Sequence, residues 1–579
     1  MKYIKTYWHK FALLMILALT GFLSFYAVGK EGYANQYYSA AVKSMLQSWH
    51  NFFFVSFDPG GYVSVDKPAL GLWLQALSAW IFGFHGWSLI LPEALSTIIS
   101  VALLYHLVQR TFGRIAGLVS ALVLALTPIM IAVSRTNNLD ASLVMMVLFA
   151  AWALIVAAEK GSLKMLLLSM ALVGLGFNIK MLEAYMVLPA FYLVYLLTSS
   201  LKTWKKLLHL TGATAMLLAV SLSWAAIVDM TPADQRPYVG SSQTNSVIEL
   251  ALGYNGIQRV TGREVGSRIN IQNSNDGRPD TTSSASLTNN NMQNNNNVQS
   301  DGQVPQNNIN AAAGNAQAGN SQFSMQAPPN GANPPDGVNG PADGNIQRGF
   351  NGDGRNAGGQ GAPGGPGGPG GAGEGGQKGV FRLFNQQMAG QISWLLPIAF
   401  FGIFAGLLRA RRKVAAGRMA AGRSLLLWGA WIAPMLVYFS IAGYFHRYYL
   451  SMLAPGIAAL AGIGMVEMWK AYLDKGWKSY ILPAALIANA ALQELMLSRY
   501  PQWSNMLIPA SCGISTAASV VLILLKVLNR DNYEKTIKAM VISGLAALLI
   551  APAIWAYTPI MYGSQTTLPS AGPELSREN

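Results

Sequence analysis

The sequence is short of charge and has almost no cysteine. Charged residues make up only 11% of the 579 positions, whereas hydrophobic residues make up 52%. An ordinary soluble domain carries about 25% charged residues, so this composition excludes a water-soluble globular enzyme of this length. The single cysteine, Cys512, excludes a scaffold held together by disulfide bonds within the chain. The composition instead indicates one large domain that crosses a membrane many times.

Common motifs of soluble enzymes are also missing from the sequence. It has no Walker loop, no glycine-rich dinucleotide fingerprint, no HExxH pair and no zinc-type spacing of Cys and His. The sequence therefore indicates neither a metal ion nor another cofactor. The net charge of +15 comes from basic residues in short segments between apolar runs, where they orient membrane helices. We expect no nucleic-acid partner.

Long apolar runs dominate the sequence. They predict an all-α polytopic membrane protein whose transmembrane helices lie at 11–28, 87–109, 116–134, 141–158, 163–179, 181–199, 207–230, 390–408, 424–444, 450–469, 479–497, 506–526 and 538–558. A further apolar run at 69–84 is shorter and contains Gln75. If this run lies in the interface as an outer juxtamembrane helix, the basic clusters all fall on the side of the amino end. We therefore predict a multi-pass cell-membrane protein with a cytoplasmic amino end.

The middle of the chain has a different composition. Residues 272–377 are rich in Asn, Gly, Gln, Ser and Pro and have few aliphatic side chains, so burial cannot offset the entropy of ordering them. We predict a disordered extracellular insertion at 265–378, which acts as a flexible tether or associates with wall glycans. It separates an N-terminal transmembrane module, 1–264, from C-terminal transmembrane helices at 379–560 and an extracellular tail at 561–579.

Two polar clusters lie on the predicted outer side, near the start of apolar helices. In the first outer loop, 30–86, Asp66 and Lys67 place a carboxylate and an ammonium beside a proline at the membrane surface. Asp140 follows two asparagines at the start of a span, and these groups suit a polyhydroxylated ligand. Each cluster also has a structural interpretation, as an exposed ion pair or as a helix N-cap.

Two more clusters lie on the same predicted side. His446 stands among tyrosines and an arginine, which is typical either of a sugar- or anion-facing group or of a solvated loop histidine. Arg259 and Arg382 lie on opposite sides of the insertion. These arginines either bind a phosphate or anchor the chain in the interface.

Taken in order, the polar strings resemble a known family. The matching strings are GYANQYYSAAV (32–42), VDKP (65–68), RTNNLD (135–140), GYNG (253–256), RLFN (382–385), GQISWLLP (390–397) and FHRYY (445–449). On these residues the chain is similar to GT-C membrane glycosyltransferases of the protein O-mannosyltransferase and aminoarabinose-transferase superfamily, especially the bacterial mannosyltransferase branch. The resemblance implies a GT-C-like helical bundle, a polyprenyl-phosphate-linked sugar donor, and inverting transfer on the outer face.

The resemblance also implies roles for individual residues. The residues expected to bind the donor phosphate are Lys67, Arg447 and Arg259. The expected catalytic carboxylates are Asp66 and Asp140, followed by Glu31 and Asp58. Contacts to the sugar or the acceptor are expected from Asn35, Tyr37, Tyr38, Asn137, Asn138, His446 and Tyr448. Because the carrier is a monophosphate, a divalent metal is not required.

One departure from the family and several alternatives remain. The superfamily often has an Asp-Glu pair ahead of the tyrosine-rich helix, whereas Ala34 and Asn35 occupy those positions here and Glu31 is displaced. The sugar is either a mannose-like hexose or an aminosugar, and the acceptor is an envelope glycopolymer, a lipid or a protein. The enzyme that makes the lipid-linked sugar on the cytoplasmic side is a further candidate partner. The alternatives to a glycosyltransferase are a lipid-linked-substrate flippase or transporter and a non-catalytic membrane scaffold.

Overall fold

A computed structural model of the chain describes residues 2–257, 259, 375–410, 415–474, 476–529 and 533–578. Apart from residues 375–378, the predicted insertion lies outside the described residues. Every regular element in the described part is helical. The α-helices are α1 Lys2–Phe25, α2 Gln36–Met45, α3 Trp49–Phe54, α4 Ala69–Phe82, α5 Gly86–Phe112, α6 Arg114–Ala125, α7 Pro128–Ser134, α8 Asp140–Lys160, α9 Leu163–Lys180, α10 Leu188–Thr198, α11 Thr203–Met230, α12 Val247–Leu252, α13 Gln386–Ile392, α14 Leu396–Ala410, α15 Ala415–Ile441, α16 Ala454–Leu473, α17 Ile481–Leu497, α18 Pro501–Leu507, α19 Ile514–Val527, α20 Glu534–Tyr562 and α21 Leu575–Glu578.

Short 3₁₀ and π turns join or extend these helices. The 3₁₀ turns are Val28–Glu31, Met181–Val187, Ala233–Gln235, Arg382–Phe384, Ser393–Leu395, Arg447–Leu453 and Trp477–Tyr480. The π turns are Gly253–Ile257 and Ile508–Gly513. Two of the 3₁₀ turns, Met181–Val187 and Arg447–Leu453, carry polar residues of the site described below.

In the described residues, 11 helical stretches are long and apolar enough to cross a membrane. The pair α6 and α7 adds a twelfth if it is one span, bent by 61° at a break ahead of Pro128. Proline causes such a break because it has no N–H to donate to the preceding turn. The stretch Leu163–Thr198 contains α9 and α10, and its 36 residues are enough to cross the membrane once or twice.

Polar contacts at both ends of α8 show that this stretch crosses twice. Lys180, at the end of α9, lies 2.5 Å from Asp140 at the start of α8. Arg423 donates to Thr198, at the end of α10, over 3.2 Å, and pairs over 3.1 Å with Glu159 at the opposite end of α8. The chain therefore runs to one end of α8 and back. With the bent pair α6 and α7 counted as one span, the described helices pass through the bundle thirteen times, which is consistent with the prediction.

The polar residues separate into two ends of the bundle. We call the end with Asp140 and Lys180 the site end. At the opposite end, Glu159 pairs with Arg110 over 2.7 Å, and Arg409 pairs with Asp474 over 2.8 Å. The all-α polytopic prediction is thus confirmed, with the predicted polar clusters and the predicted basic segments at different ends.

Helix α4 starts and finishes at the site end, as predicted for the run 69–84. Its amino end follows Lys67, and after its carboxyl end the chain passes so close to Gly32 that a Cβ on Gly86 would lie 1.5 Å from the Gly32 carbonyl oxygen. Gln75 donates from its Nε2 to the Asn137 carbonyl oxygen over 2.7 Å, whereas its buried Oε1 has no hydrogen-bond partner among the described residues. The helix therefore lies against the bundle and does not cross it.

Small residues let the central helix α16 pack closely against its neighbours. A Cβ on Gly402 of α14 would lie 2.7 Å from the Gly464 Cα, and a Cβ on Gly462 would lie 2.1 Å from the Ser120 Oγ of α6. Side chains at these positions would force the helices apart, and close backbone approach of this kind stabilises helices in membranes. This packing ties the N-terminal module to the C-terminal helices.

Candidate active site

A cavity of about 600 Å³ opens at the site end. Three cations line it: Lys67 before α4, Lys180 at the end of α9, and Arg259. Each of these residues is only 7% exposed. The other lining residues are Leu182, Glu183, Met186, Leu252, Asn255, Gly256, Ile257, Tyr438 and Tyr449. Lys67 and Lys180 are paired with carboxylates, as described below, but three cations at one cavity can also act together on a bound anion.

Lys67 forms an ion pair with its neighbour Asp66, 2.5 Å from Nζ to Oδ2. The Asp66 N–H donates to the Tyr37 hydroxyl over 3.2 Å, and Asn255 donates to the Asp66 carbonyl oxygen over 3.4 Å. Burial favours the neutral carboxyl, but the Lys67 and Arg259 charges outweigh it and hold the pKa of Asp66 below its usual value. Burial lowers the pKa of Lys67, and Asp66 offsets only part of this effect.

Lys180 lies between two carboxylates and two aromatic rings. Its Nζ is 2.5 Å from Asp140 and 3.1 Å from Glu183. The same Nζ lies 4.6 Å from the ring centre of Tyr448 and 4.3 Å from that of Tyr449. Asp140 is 1% exposed, so it contacts Lys180 beneath the cavity surface. Lys180 is therefore held in place from several sides.

Arg259 is surrounded by aromatic faces. Its guanidinium lies 5.0 Å from the ring centres of both Tyr254 and Tyr444. Its buried Nε has no hydrogen-bond partner among the described residues. Aromatic faces stabilise a cation without using up its donors. Arg259 thus keeps at least one N–H available for an anion.

Glu183 is a carboxylate that the sequence reasoning did not single out. Its side chain is 7% exposed and lines the cavity. Neither of its oxygens accepts a hydrogen bond from the described residues, although Lys180 is only 3.1 Å away. The signal in the sequence was the placement of Lys180 and Glu183 between two apolar runs with no room for a loop.

The predicted amide cluster forms, but its members bind one another. The Asn35 N–H donates to the Asn137 side-chain oxygen over 2.7 Å, and the Asn35 amide donates to the Asn138 oxygen over 3.1 Å. Asn35 also caps α2 by accepting from the backbone N–H groups of Tyr37 and Tyr38. None of these residues is among those that line the cavity. They fix the first outer loop to the start of α8, and sugar contact by them stays a prediction.

His446 and Tyr448 are brought to the same place as predicted. The two rings stack 5.0 Å apart, and the Tyr444 hydroxyl lies 3.2 Å from the His446 Nε2. His446 also acts electrostatically on Asp140. This aromatic layer lies against Lys180, so it supports the cavity from below.

Three predicted site residues have partners elsewhere and do not line this cavity. Glu31 binds Arg135 over 2.7 Å and the Ser564 N–H over 2.8 Å. Asp58 closes a turn in the first outer loop by accepting from Tyr62 and Val63 N–H groups. The charge of Arg447 acts on Tyr500, on the side of the carboxyl-terminal tail. Their proposed catalytic or phosphate-binding roles gain no support from these contacts.

Arg382 does not line the cavity, and it is buried at 5% exposure. Its guanidinium donates to the Ala442 carbonyl oxygen over 2.6 Å and lies 4.5 Å from the ring centre of Phe445. It therefore holds the loop that leads to His446.

The Arg135–Glu31 pair gives a stability prediction. Their side chains are 1% and 5% exposed, so replacing Arg135 with methionine leaves a buried carboxylate without its cation. We expect Arg135→Met to lower the free energy of unfolding by about 3–5 kcal/mol, measured by thermal unfolding in detergent. Lys538→Ala, which breaks the exposed pair with Glu534, should cost less than about 1 kcal/mol. Equal effects of the two substitutions would contradict this interpretation.

The fold and the cavity define a polytopic membrane protein with a buried cationic site. A family model described as dolichyl-phosphate-mannose-protein mannosyltransferase matches residues 66–224. A Bacillus subtilis (strain 168) protein named "Putative mannosyltransferase YkcB" is 44% identical over 574 residues, which are 97% of this chain and 76% of that protein. The chain therefore belongs to this mannosyltransferase family, as its motifs predicted, and is a membrane glycosyltransferase.

Two further comparisons are more distant. The undecaprenyl phosphate-alpha-4-amino-4-deoxy-L-arabinose arabinosyl transferase of Pseudomonas paraeruginosa is 32% identical over 176 residues, 29% of this chain and 32% of that protein. The crystal structure of ArnT from Cupriavidus metallidurans bound to undecaprenyl phosphate has a TM-score of 0.46 and 15% identity, with 94% of this chain and 76% of that chain covered.

Proposed function

We propose that this protein transfers a sugar from a polyprenyl-phosphate carrier to an envelope acceptor on the outer face of the membrane. The observation that carries the proposal is the convergence of Lys67, Lys180 and Arg259 on one buried cavity. A relative named as a transferase for an undecaprenyl-phosphate-linked aminosugar supports the same class of donor. The sugar and the acceptor remain those predicted from the sequence, a hexose or aminosugar and a glycopolymer, lipid or protein.

In this mechanism the leaving group is a lipid phosphate. Its developing charge needs fixed cations more than it needs a proton. Lys67 supplies a point charge to the cavity. Arg259 supplies an N–H that has no hydrogen-bond partner among the described residues. Lys180 adds a third positive charge, held in place by Asp140. These three positively charged side chains neutralise the developing negative charge of the phosphate.

An apolar wall faces the cations. Leu182 and Met186 line the cavity, as do Leu252 and Ile257, which are 55% and 58% exposed. A polyprenyl tail would leave the cavity across these exposed side chains into the lipid. The alternative path predicted from the sequence runs along α4, at 69–84, whose outer residues are also apolar and exposed.

The proposed orientation follows from the charge asymmetry between the two ends. The predicted positive-inside arrangement places the opposite end in the cytoplasm and the site end outside. In a Cys512→Ser background, we expect Tyr62→Cys to react with an impermeant thiol reagent added to intact cells. Trp204→Cys should react only after the cells are opened. The two side chains are 77% and 59% exposed, so burial cannot explain a difference. The reverse labelling pattern would refute the orientation.

The proposed activity can be tested with purified protein in vesicles. The substrates are undecaprenyl phosphates that carry mannose, glucose, N-acetylglucosamine or 4-amino-4-deoxyarabinose. We expect release of undecaprenyl phosphate with one of these sugars transferred to water or to added envelope fractions. Movement of an intact donor across the bilayer without sugar release would instead support the flippase alternative, and neither event would support the scaffold.

The depressed pKa of Lys67 gives a pH prediction for donor binding. Burial shifts this pKa below its ordinary value of 10.5, so the ammonium is lost earlier than in a free lysine as the pH rises. We expect affinity for undecaprenyl phosphate to fall with rising pH before 10.5, as measured by fluorescence titration. In Lys67→Arg the guanidinium stays charged, so this fall should disappear. A similar fall in that variant would assign the titration to another group.

A further inference from the structure

The carboxylates of the site differ in their access to the cavity. Asp66 and Asp140 each form a 2.5 Å ion pair with a lysine, and neither is among the residues that line the cavity. Glu183 is the one carboxylate among the described lining residues. Neither of its oxygens makes a well-aligned hydrogen bond to a described residue, and its ion pair with Lys180 is longer, at 3.1 Å. Among the described lining residues, Glu183 therefore has the one side chain that, when ionised, can only accept hydrogen bonds.

We infer that Glu183 is the general base that deprotonates the acceptor. The inference rests on the proposed function, because it concerns the same cavity. Ala34 and Asn35 occupy the positions at which the resemblance led us to expect an acidic pair, so the first outer loop does not supply the base there. Glu183 stands at the turn that follows α9, where its backbone is fixed by packing of Met181 and Ala184 in the core.

The step is a single displacement at the anomeric carbon. The acceptor oxygen forms a bond to this carbon while the bond to the phosphate oxygen breaks. The bonding electrons leave with the polyprenyl phosphate, whose charge is met by Lys67 and Arg259. The hydroxyl proton of the acceptor passes to a Glu183 carboxylate oxygen and then to water. No oxidant, reductant or metal is needed for this balance.

Lys180 makes Glu183 suitable for this role. It lies 3.1 Å from Glu183 and 2.5 Å from Asp140, so one ammonium serves two carboxylates. Asp140 takes the shorter contact, so Glu183 is the more weakly held of the two partners of Lys180.

The test compares two nucleophiles with one donor. Water must lose a proton when it attacks the sugar, whereas azide is already an anion and needs no base. With the donor that the wild-type protein hydrolyses, Glu183→Gln should reduce release of free sugar by about 10²–10⁴-fold. Formation of glycosyl azide by the same variant should stay within about threefold of the wild type, because phosphate departure is unchanged. Glu534→Gln, on an exposed residue paired only with Lys538 in the described structure, is the matched control and should change neither reaction.

Each possible result of this test either supports or overturns the role of Glu183 as the general base. Loss of both reactions in Glu183→Gln would overturn the inference and make Glu183 a residue that binds the donor or supports the fold. Unchanged hydrolysis would overturn it too, by removing Glu183 from the reaction. If the wild-type protein released no sugar to water or azide from any donor, the proposed function itself would fail. Binding of undecaprenyl phosphate to Glu183→Gln, expected to be equal or tighter, confirms that the variant is folded.

Discussion

Lys67→Ala should weaken binding of undecaprenyl phosphate by about 100-fold. A hydrogen bond to a charged group contributes about 1.5–3 kcal/mol, and the substitution removes the donor from this contact. It also leaves Asp66, which now lies 2.5 Å from the Lys67 ammonium, as an uncompensated negative charge next to the phosphate. The loss should appear as a raised dissociation constant in titrations with the lipid in detergent micelles.

The control for this variant lies in the same loop. Lys43 is exposed on α2, and Lys43→Ala removes an equal charge without touching the cavity. We expect its affinity for undecaprenyl phosphate to match that of the wild type. Equal affinities of Lys67→Ala and the wild type would exclude Lys67 from phosphate binding, whatever the activity of the variant.

Asp140→Asn should reduce sugar transfer by about 10³-fold while the protein remains inserted and folded. The amide keeps the shape of the side chain but loses the charge that holds Lys180. Lys180 would then move toward Glu183, already 3.1 Å away, and its ammonium would occupy the carboxylate. Loss of a positioned base costs about 10²–10⁴ in rate, and a misplaced cation adds to this loss. The rate of sugar release from the lipid-linked donor is the measurement.

A matched variant separates this effect from a general loss of charge. Asp474 pairs with Arg409 at the opposite end, and Asp474→Asn should leave turnover within about twofold, since surface pairs contribute little. If Asp140→Asn turned over normally, Asp140 would have no part in the mechanism. If it lost thermal stability as well as activity, its role would be mainly structural.

The sequence predicted the architecture because the membrane imposes a simple rule on it. Each span must be long and apolar, so hydropathy located the 11 long apolar stretches of the described residues, and the basic residues showed that α4 does not cross. The break after Lys180 was more difficult, since α9 and α10 form one continuous apolar stretch by length and composition. The charged residues Lys180 and Glu183 marked the turn between α9 and α10. Hydropathy alone did not show this turn, because no long polar loop separates the two helices.

The sequence predicted which residues lie near one another at the site better than it predicted the role of each residue. Lys67, Asp140 and His446 were expected on one side, and the structure brings their neighbourhoods together at the site end. The sequence could not show that Asn35 would bind Asn137 instead of facing the cavity, because that contact joins residues 102 positions apart. The sequence also could not show which carboxylate would be buried away from the cavity. The burial of Asp140 and the position of Glu183 at the cavity wall depend on the packing of α8 against α9.

The carboxyl-terminal tail is a second example of long-range contact. It was predicted only as an extracellular segment at 561–579. In the structure it packs at the site end, where Ser564 donates to Glu31 and the Ala571 backbone exchanges two hydrogen bonds with Gln391. Glu31, one of the predicted catalytic residues, is therefore used to hold the tail and Arg135. A contact across more than 500 residues leaves no local pattern in the sequence.

The most direct test is a cryo-electron-microscopy structure of the protein with bound undecaprenyl phosphate. We predict phosphate density in the cavity at the site end, within hydrogen-bond distance of Lys67 and Arg259, with the prenyl tail passing over Leu252 and Ile257. Phosphate density elsewhere in a lipid-saturated sample, with this cavity open and empty, would contradict it.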